Sequence, residues 1–284
     1  MTCKKVARER KFCKRMTRLV PTLLLVTIFM LPALATLQAQ ALTEGLGNGN
    51  VPLEINADEG IEWRRDLNQY VASGNARAAQ GELEVFGNQL IAHYREGAEG
   101  GTEIYRVDAV GDVRIVSPGE TAYGDNGVYD IDKQVMVLTG QNLRMVSGPD
   151  IITARDSLEY WEEKQLAVAR GNAVAIREDK RVRGNTLTAY FVRDAENKLE
   201  LERIDAHGDV RVATKTEYAT GDNGIYFVKK ELANLTGNVK ITQGENQMNG
   251  DEAEFNLATG VSKLKSSSGK PVRGLILPSS KKKK

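Results

Sequence analysis

Apolar and charged residues alternate along most of the chain beyond residue 50. Val113-Arg114-Ile115, Val210-Arg211-Val212 and Val239-Lys240-Ile241 each set a charge between two apolar side chains. Leu53-Glu54-Ile55-Asn56-Ala57-Asp58 follows the same pattern. Tyr129-Asp130-Ile131 and Tyr226-Phe227-Val228 place large apolar residues at alternate positions. Successive side chains of a strand point to opposite faces, so this period predicts strands with one buried face. Gly, Asn, Asp and Ser fill the breaks, as turns require. No stretch beyond residue 50 has a helical period with a cap.

The pattern also repeats. A glycine followed by a polar residue recurs at Gly74-Asn75-Ala76, Gly111-Asp112-Val113, Gly140-Gln141-Asn142-Leu143, Gly171-Asn172-Ala173, Gly208-Asp209-Val210 and Gly237-Asn238-Val239. The intervals are 37, 29, 31, 37 and 29, so each of the first three glycines returns after 97 residues. Gly124-Asp125-Asn126-Gly127-Val128-Tyr129 returns at the same offset as Gly221-Asp222-Asn223-Gly224-Ile225-Tyr226, and Ile55…Trp63 returns as Ile152…Tyr160. We expect a duplication of about 97 residues, spanning about 55–151 and 152–264. Each block holds three units of about 30 residues, and each unit two or three strands joined by turns. The fold class is then all-β and antiparallel. Units of one kind favour stacking along an axis, as in solenoids. That arrangement is elongated, with an apolar interior and an unpaired edge strand at each end.

The N-terminus has a different character. Residues 1–18 carry eight basic side chains and one acid, and residues 19–31 carry no charge. Ala33, Ala35, Ala39 and Ala41 follow. A basic region, a short apolar run and an Ala-x-Ala exit make a secretory signal peptide, assigned to 1–41 with cleavage after Ala35, Ala39 or Ala41. An uncleaved membrane anchor is the alternative, because the uncharged stretch continues to Gln38. Cys3 and Cys13 both precede the apolar run, so the exported chain has no thiol chemistry and no lipid-acceptor cysteine.

Composition then excludes several classes. The formal net charge is +1, yet residues 19–269 hold 25 basic against 37 acidic side chains. Residues 270–284, with six basic side chains including those of the basic tail (279–284), and the leader mask this acidic body, which is no nucleic-acid binder. Dense outward charge and 6% aromatic residues argue against a membrane barrel.

The opening 52–58 segment, the Gly-Asn/Asp-Val strands, Leu235-Thr236-Gly237-Asn238-Val239, Gly250-Asp251-Glu252-Ala253-Glu254-Phe255 and the closing 271–278 segment together resemble the OstA/LptA family, over residues 50–278. The resemblance implies a periplasmic lipopolysaccharide transport protein with an open antiparallel β-jellyroll. Its apolar groove would shield the acyl chains of lipid A while the sugars stay outside. It also implies head-to-tail self-association, an LptC-like inner-membrane partner and an LptD-like outer-membrane partner. Leu53, Ile55, Tyr129 and Ile131 are groove-facing by match to the family's motifs, and Tyr226 and Val228 by the internal offset. Val113, Ile115, Val210, Val212, Val239 and Ile241 join them by alternation. Ordinary core packing is the competing reading for each.

No enzymatic chemistry is expected. His93 and His207 occupy unmatched places and have no partner nucleophile. Asp125-Asn126-Gly127 and Asp222-Asn223-Gly224 lack the carboxylate series of a calcium loop and read as turns. No phosphate loop or dinucleotide fingerprint is present, and no cofactor or metal is implied. The acidic residues read as outward, solvated faces. The alternatives are a membrane-anchored LptC-like subunit, a structural β-repeat envelope protein and an envelope enzyme on a β-solenoid.

Overall fold

The computed structural model describes residues 53–97, 100–266 and 271–276. The expected leader, its cleavage site and the basic tail lie outside these residues. The described chain is entirely β, with eighteen strands and antiparallel pairing throughout.

Long strands follow one another as a meander. Strands β1 (Glu54–Asn56) and β2 (Gly60–Arg64) lie end to end along β3 (Gln69–Gln80). The series continues through β4 (Leu83–Glu96), β5 (Thr102–Ser117) and β6 (Glu120–Asp130), each paired with the next. Beyond β6 the strands are split. Strands β7 (Val135–Thr139) and β8 (Arg144–Ser147) share β6, then pair with β10 (Ser157–Trp161) and β9 (Asp150–Thr153) respectively. Both β9 and β10 pair onto β11 (Leu166–Arg177), and the long meander resumes through β12 (Lys180–Arg193), β13 (Leu199–Ala213), β14 (Glu217–Phe227), β15 (Leu232–Gln243) and β16 (Asn246–Asn256). Strands β17 (Val261–Lys265) and β18 (Arg273–Leu275) close the far edge on β16.

The Gly-Asn/Asp motifs are not turns. They sit in the middle of long strands, where the register shifts between Ser73 and Ala76, Val110 and Val113, Arg170 and Ala173, His207 and Val210, and Thr236 and Val239. Both residues of each motif take positive φ, as with Gly111 (76°) and Asp112 (50°) and with Gly208 (73°) and Asp209 (49°). A β-bulge with left-handed residues bends the strand sharply. A Cβ on Gly111 would lie 2.5 Å from Asn88 Nδ2, and one on Gly208 would lie 2.5 Å from Asn185 Nδ2. The neighbouring strand's polar side chain therefore occupies the space that glycine vacates. Asn75 donates to Asp58 (2.8 Å) and Asn238 to Asp222 (2.8 Å), tying adjacent corners together.

Aligned corners fold the sheet over on itself. The segments before the bulge in odd-numbered long strands make a first layer, and those after it a second. Inward residues of both layers meet in two apolar clusters. Ala72, Leu90, Val107, Ala109 and Leu138 of the first layer join Val85, Val113, Ile115, Ala122 and Leu143 of the second. Ala169, Leu187, Ala206 and Leu235 join Val210, Ala219, Val239 and Ile241 in the same way. Ala154 and Leu158 pack against both clusters. The solenoid expectation is thus replaced by a meander bent at one column of corners, while the eighteen described strands fall within the expected two or three per unit. Alternation located the buried face correctly but could not distinguish a mid-strand bulge from a turn, since both use Gly and Asn.

Candidate functional site: an apolar interior between two layers

Strand register extends the inward rows across the sheet. In the first layer, pairing links Trp63 with Tyr70, Tyr70 with Ala92, Ala92 with Val107 and Val107 with Tyr129. The same row continues through Met136, Tyr160 and Ala167. In the second layer, Ile55, Ala78, Val85, Ile115 and Ala122 form a matching row. Met145, Ile152, Ala175, Val182 and Val212 carry that row onward. Both rows cross the split strands without interruption.

Val113, Ile115, Val210, Val239 and Ile241 are buried members of the clusters. Leu53, Ile55, Tyr129 and Val212 are half-buried and pack against them. Tyr226 lies on the inward row, paired with Ile204 and Ala233, but is not among the residues packed on either cluster. Ile131 and Val228 fall in the turns after β6 and β14, where their N–H groups donate to Tyr105 and Glu202 carbonyls. They stand at the free end of the first layer, away from the cluster residues. Several lining residues escaped the sequence reading: Leu83, Val85, Leu90, Leu138 and Leu143. The first three sit in Leu83-Glu84-Val85-Phe86 and Gln89-Leu90, whose alternation is interrupted by Gly87-Asn88.

Opposite the corner column the layers end in turns, and there the interior turns polar. Glu120, Ser147 and Asp150 are buried at the end of the second layer. Ser147 Oγ donates to Glu120 Oε1 (3.1 Å), while Glu120 Oε2 and the Tyr160 hydroxyl have no hydrogen-bond partner among the described residues. Burial pushes the Glu120 carboxyl above its ordinary range, and the bond from Ser147 only partly opposes this. Asp150 accepts a two-pronged bond from Arg177 at 2.6 and 2.5 Å. Tyr129 donates to Glu162 (3.1 Å), and burial followed by the Glu162 charge holds its phenol well above the usual range. The expectation that the acids all face outward fails at Glu120 and Asp150. Pairing sets them on the inward side because Glu120 opposes Ser147, and Ser147 opposes Asp150.

The two layers are in close contact. A cavity of about 30 Å³ remains between Leu83, Val85 and Ile115 on one side and Val107, Tyr129, Met136 and Tyr160 on the other. That is room for one or two waters and no more. Among the described residues, no group of three or more His, Cys, Asp or Glu is placed to hold a metal ion. On the outward side His93 Nε2 donates to Asp108 Oδ2 (2.8 Å) and Nδ1 accepts from Gln69 Nε2 (3.4 Å), with Arg106 on the same carboxylate.

An all-β, antiparallel sheet folded over an apolar interior, with one end lined by polar side chains, defines a β-jellyroll-like class. The sequence places the chain within that class. A family model described as LptA/(LptD N-terminal domain) LPS transport protein matches twice, at residues 54–156 and 151–261, and the chain belongs to this family. It is 22% identical over 104 residues to the uncharacterized protein R00383 of Rhizobium meliloti (strain 1021), a match covering 35% of this chain. The match spans 55% of that relative's length. Among solved structures the chain is similar to LptH of Pseudomonas aeruginosa, described as the LptA homologous periplasmic component of a lipopolysaccharide transport device. There the TM-score is 0.40 and identity 22%, covering 46% of this chain and 96% of that one.

Proposed function

We propose that the chain is a periplasmic carrier that takes the acyl chains of lipopolysaccharide between its two layers and leaves the sugars outside. The observation that carries this reading is the pair of inward apolar rows, which run without a break from β2 and β1 respectively through the split strands to β16. Removing acyl chains from water yields about 0.8 kcal/mol per methylene. That attraction has no preferred position along a uniform row, so a lipid can slide. The small cavity belongs to a closed form, and the lipid must part the layers from the end where Tyr129, Tyr160 and Glu120 lie. The contacts between the layers are mainly apolar side chains, so separation leaves the strand pairing intact.

The edges support assembly by strand addition. On β2, Ile61 and Trp63 are 54% and 52% exposed, and on β18 Leu275 is 56% exposed. Strands β1 and β2 run antiparallel to β3, as β17 and β18 do to β16, so head-to-tail pairing of copies keeps the antiparallel order. The ends would also accept the similar folds of LptC-like and LptD-like partners in the inner and outer membranes. A leader at 1–41 would deliver the chain to that compartment.

Photoreactive residues at Leu53, Tyr129 and Tyr226, compared with Glu54 and Asp130, test the interior. Capture of lipopolysaccharide from the first set and not the second is expected. Capture from Glu54 and Asp130 alone would sink the interior route.

A further inference from the structure

The two outer faces of the folded sheet differ in charge. On the first layer, acids and bases are interleaved and paired: Arg106 with Asp108 (2.7 Å), Arg170 with Glu159 (2.7 Å), Arg203 with Asp205 (2.9 Å) and Lys263 with Glu254 (3.6 Å). On the second layer, one outward row reads differently. Register places Arg77 beside Phe86, Phe86 beside Arg114, Arg114 beside Tyr123 and Tyr123 beside Arg144. Further along, Arg183 lies beside Arg211, Thr220 beside Lys240, and Asn249 beside Arg273. No acid occurs in that row. Arg77 pairs with Glu84 and Arg211 with Asp209 from neighbouring positions. Arg114 instead lies over the Phe86 ring (3.8 Å) and Arg144 over Tyr123 (5.5 Å).

A second outward row runs alongside, two residues nearer the free end. Its middle carries Val116, Val146, Ile151 and Ile176, joined by pairing through Thr121, with Glu84 beside Val116 and Arg181 beside Ile176. Ile151 is 36% exposed, and Tyr218 of the same row is 42% exposed. Cations one strand apart beside an apolar row make a surface with two kinds of affinity. A soluble polyanion would use only the first. An anionic lipid surface uses both, with phosphates against the guanidinium groups and interfacial hydrocarbon against the apolar row. Aromatic side chains beneath the cations suit the same interface.

We propose that the outer face of the second layer docks on a lipid surface rich in anionic headgroups, with Arg114, Arg144, Arg183 and Lys240 as its principal cations. The acidic balance of the whole chain does not oppose this. The acids of this layer, Glu54 and Glu84 and, toward its free end, Glu82, Asp179 and Glu217, lie outside the cation row, and at physiological salt their field fades within about 8 Å. Docking fixes which side of the molecule faces the bilayer. It leaves the opposite layer and both sheet edges free.

The test is flotation of the exported protein with vesicles of phosphatidylcholine alone or with one-third phosphatidylglycerol. The neutral vesicles measure whatever an apolar N-terminal segment contributes, and the increment on adding phosphatidylglycerol measures the face. The double variant R144E/K240E, at two exposed sites, should lower that increment about tenfold or more, with an unchanged melting temperature. Lys164→Glu, at the Trp161 ring of the first layer, should leave it unchanged. Ile151→Asn should weaken vesicle binding without altering retention of inorganic polyphosphate. Absence of a phosphatidylglycerol increment, an equal loss in K164E, or an I151N variant that floats like the parent would overturn the proposal. The last outcome would assign the row to soluble polyanions. Should R144E/K240E unfold, the milder R144Q/K240Q pair is read by the same increment.

Discussion

Strands β2 and β10 occupy the same place in the 97-residue repeat, yet they have opposite surroundings. Trp63 of β2 is 52% exposed, whereas Tyr160 of β10, 97 residues later, is 7% exposed. Ile61 is 54% exposed, whereas Leu158 packs on both core clusters. The difference arises from neighbours. Strand β10 has β11 on one side and β7 on the other, with Leu158 opposite Leu138 and Tyr160 opposite Met136. Among the described residues, strand β2 pairs only with β3. Residue identity and local alternation are therefore insufficient to bury a side chain here. An additional strand must be present, and the internal junction shows the pairing that a partner strand could reproduce at the open edge.

Removing one side of that junction should have the largest effect. Leu138 is 2% exposed and opposes Leu158. Leu138→Ala should cost about 2–4 kcal/mol through lost transfer energy and the cavity left behind. Ile61→Ala at the open edge should cost about 0.5 kcal/mol or less. Urea unfolding of the two variants checks the contrast. Equal midpoint shifts would mean that β2 is covered in solution, by another copy or by residues outside the described chain.

The corners provide the next test, because here the two halves should behave alike. Gly111→Ala and Gly208→Ala each impose a left-handed non-glycine residue and press a Cβ onto an asparagine 2.5 Å away. Each should cost about 1–3 kcal/mol. Adding Asn88→Ala to the first, or Asn185→Ala to the second, should restore the part due to contact and leave the part due to φ. A difference of more than about 1 kcal/mol between halves would show that the corners are not equivalent.

The same contrasts separate what was legible in the sequence from what was not. Alternation around Val113, Ile115, Val210, Val239 and Ile241 identified buried positions, because a strand's period does not depend on what the strand packs against. The offset of 97 residues matches Gly111 with Gly208 from the order of residues alone. The direction of the chain at those glycines was not legible. A bulge and a turn draw on the same residues, and only register shifts in the paired strands separate them. Glu120 was not legible either. Its buried position depends on Ser147 and Asp150 of strands far along the chain, and an isolated glutamate beside a turn reads as solvated.

Glu120 and Glu217 stand 97 residues apart and differ as Trp63 and Tyr160 do. Glu120 is 6% exposed, whereas Glu217 is exposed and accepts a bond from Gln243 (3.1 Å). The folded state raises the Glu120 pKa, so it binds more protons than the unfolded state between the unfolded and folded values. Stability then falls as pH rises through that window and stays lowered at neutral pH. Glu120→Gln should raise the melting temperature at pH 7, with the gain shrinking as pH falls into the carboxylate range. Glu217→Gln, at an exposed site, should leave the melting temperature at pH 7 within about 1 °C of the parent. Acid-sensitive contributions of opposite sign come from Asp130 and Glu159, whose pKa values are lowered. Only the difference between parent and variant isolates Glu120. A gain that persisted unchanged to low pH would assign the effect to packing.

The smallest effects return to the two aromatic positions, and they should differ in sign. The Tyr160 hydroxyl is buried without a hydrogen-bond partner among the described residues. Removing it in Tyr160→Phe deletes a desolvated polar group and should stabilise by up to about 1 kcal/mol. Trp63 Nε1 donates to the Tyr94 hydroxyl (2.8 Å) in an exposed cluster, with the Tyr70 ring 5.8 Å away and the Arg65 guanidinium 4.0 Å over the indole. Trp63→Phe keeps much of the stack and loses that bond, so it should destabilise by about 0.5 kcal/mol. If both variants were destabilised alike, a water or a bound lipid atom would be satisfying Tyr160 in solution. The interior would then be less closed than about 30 Å³ of free space implies. Repeating both measurements with lipopolysaccharide present separates the two cases, because only a lipid contact makes the Tyr160 effect depend on ligand concentration.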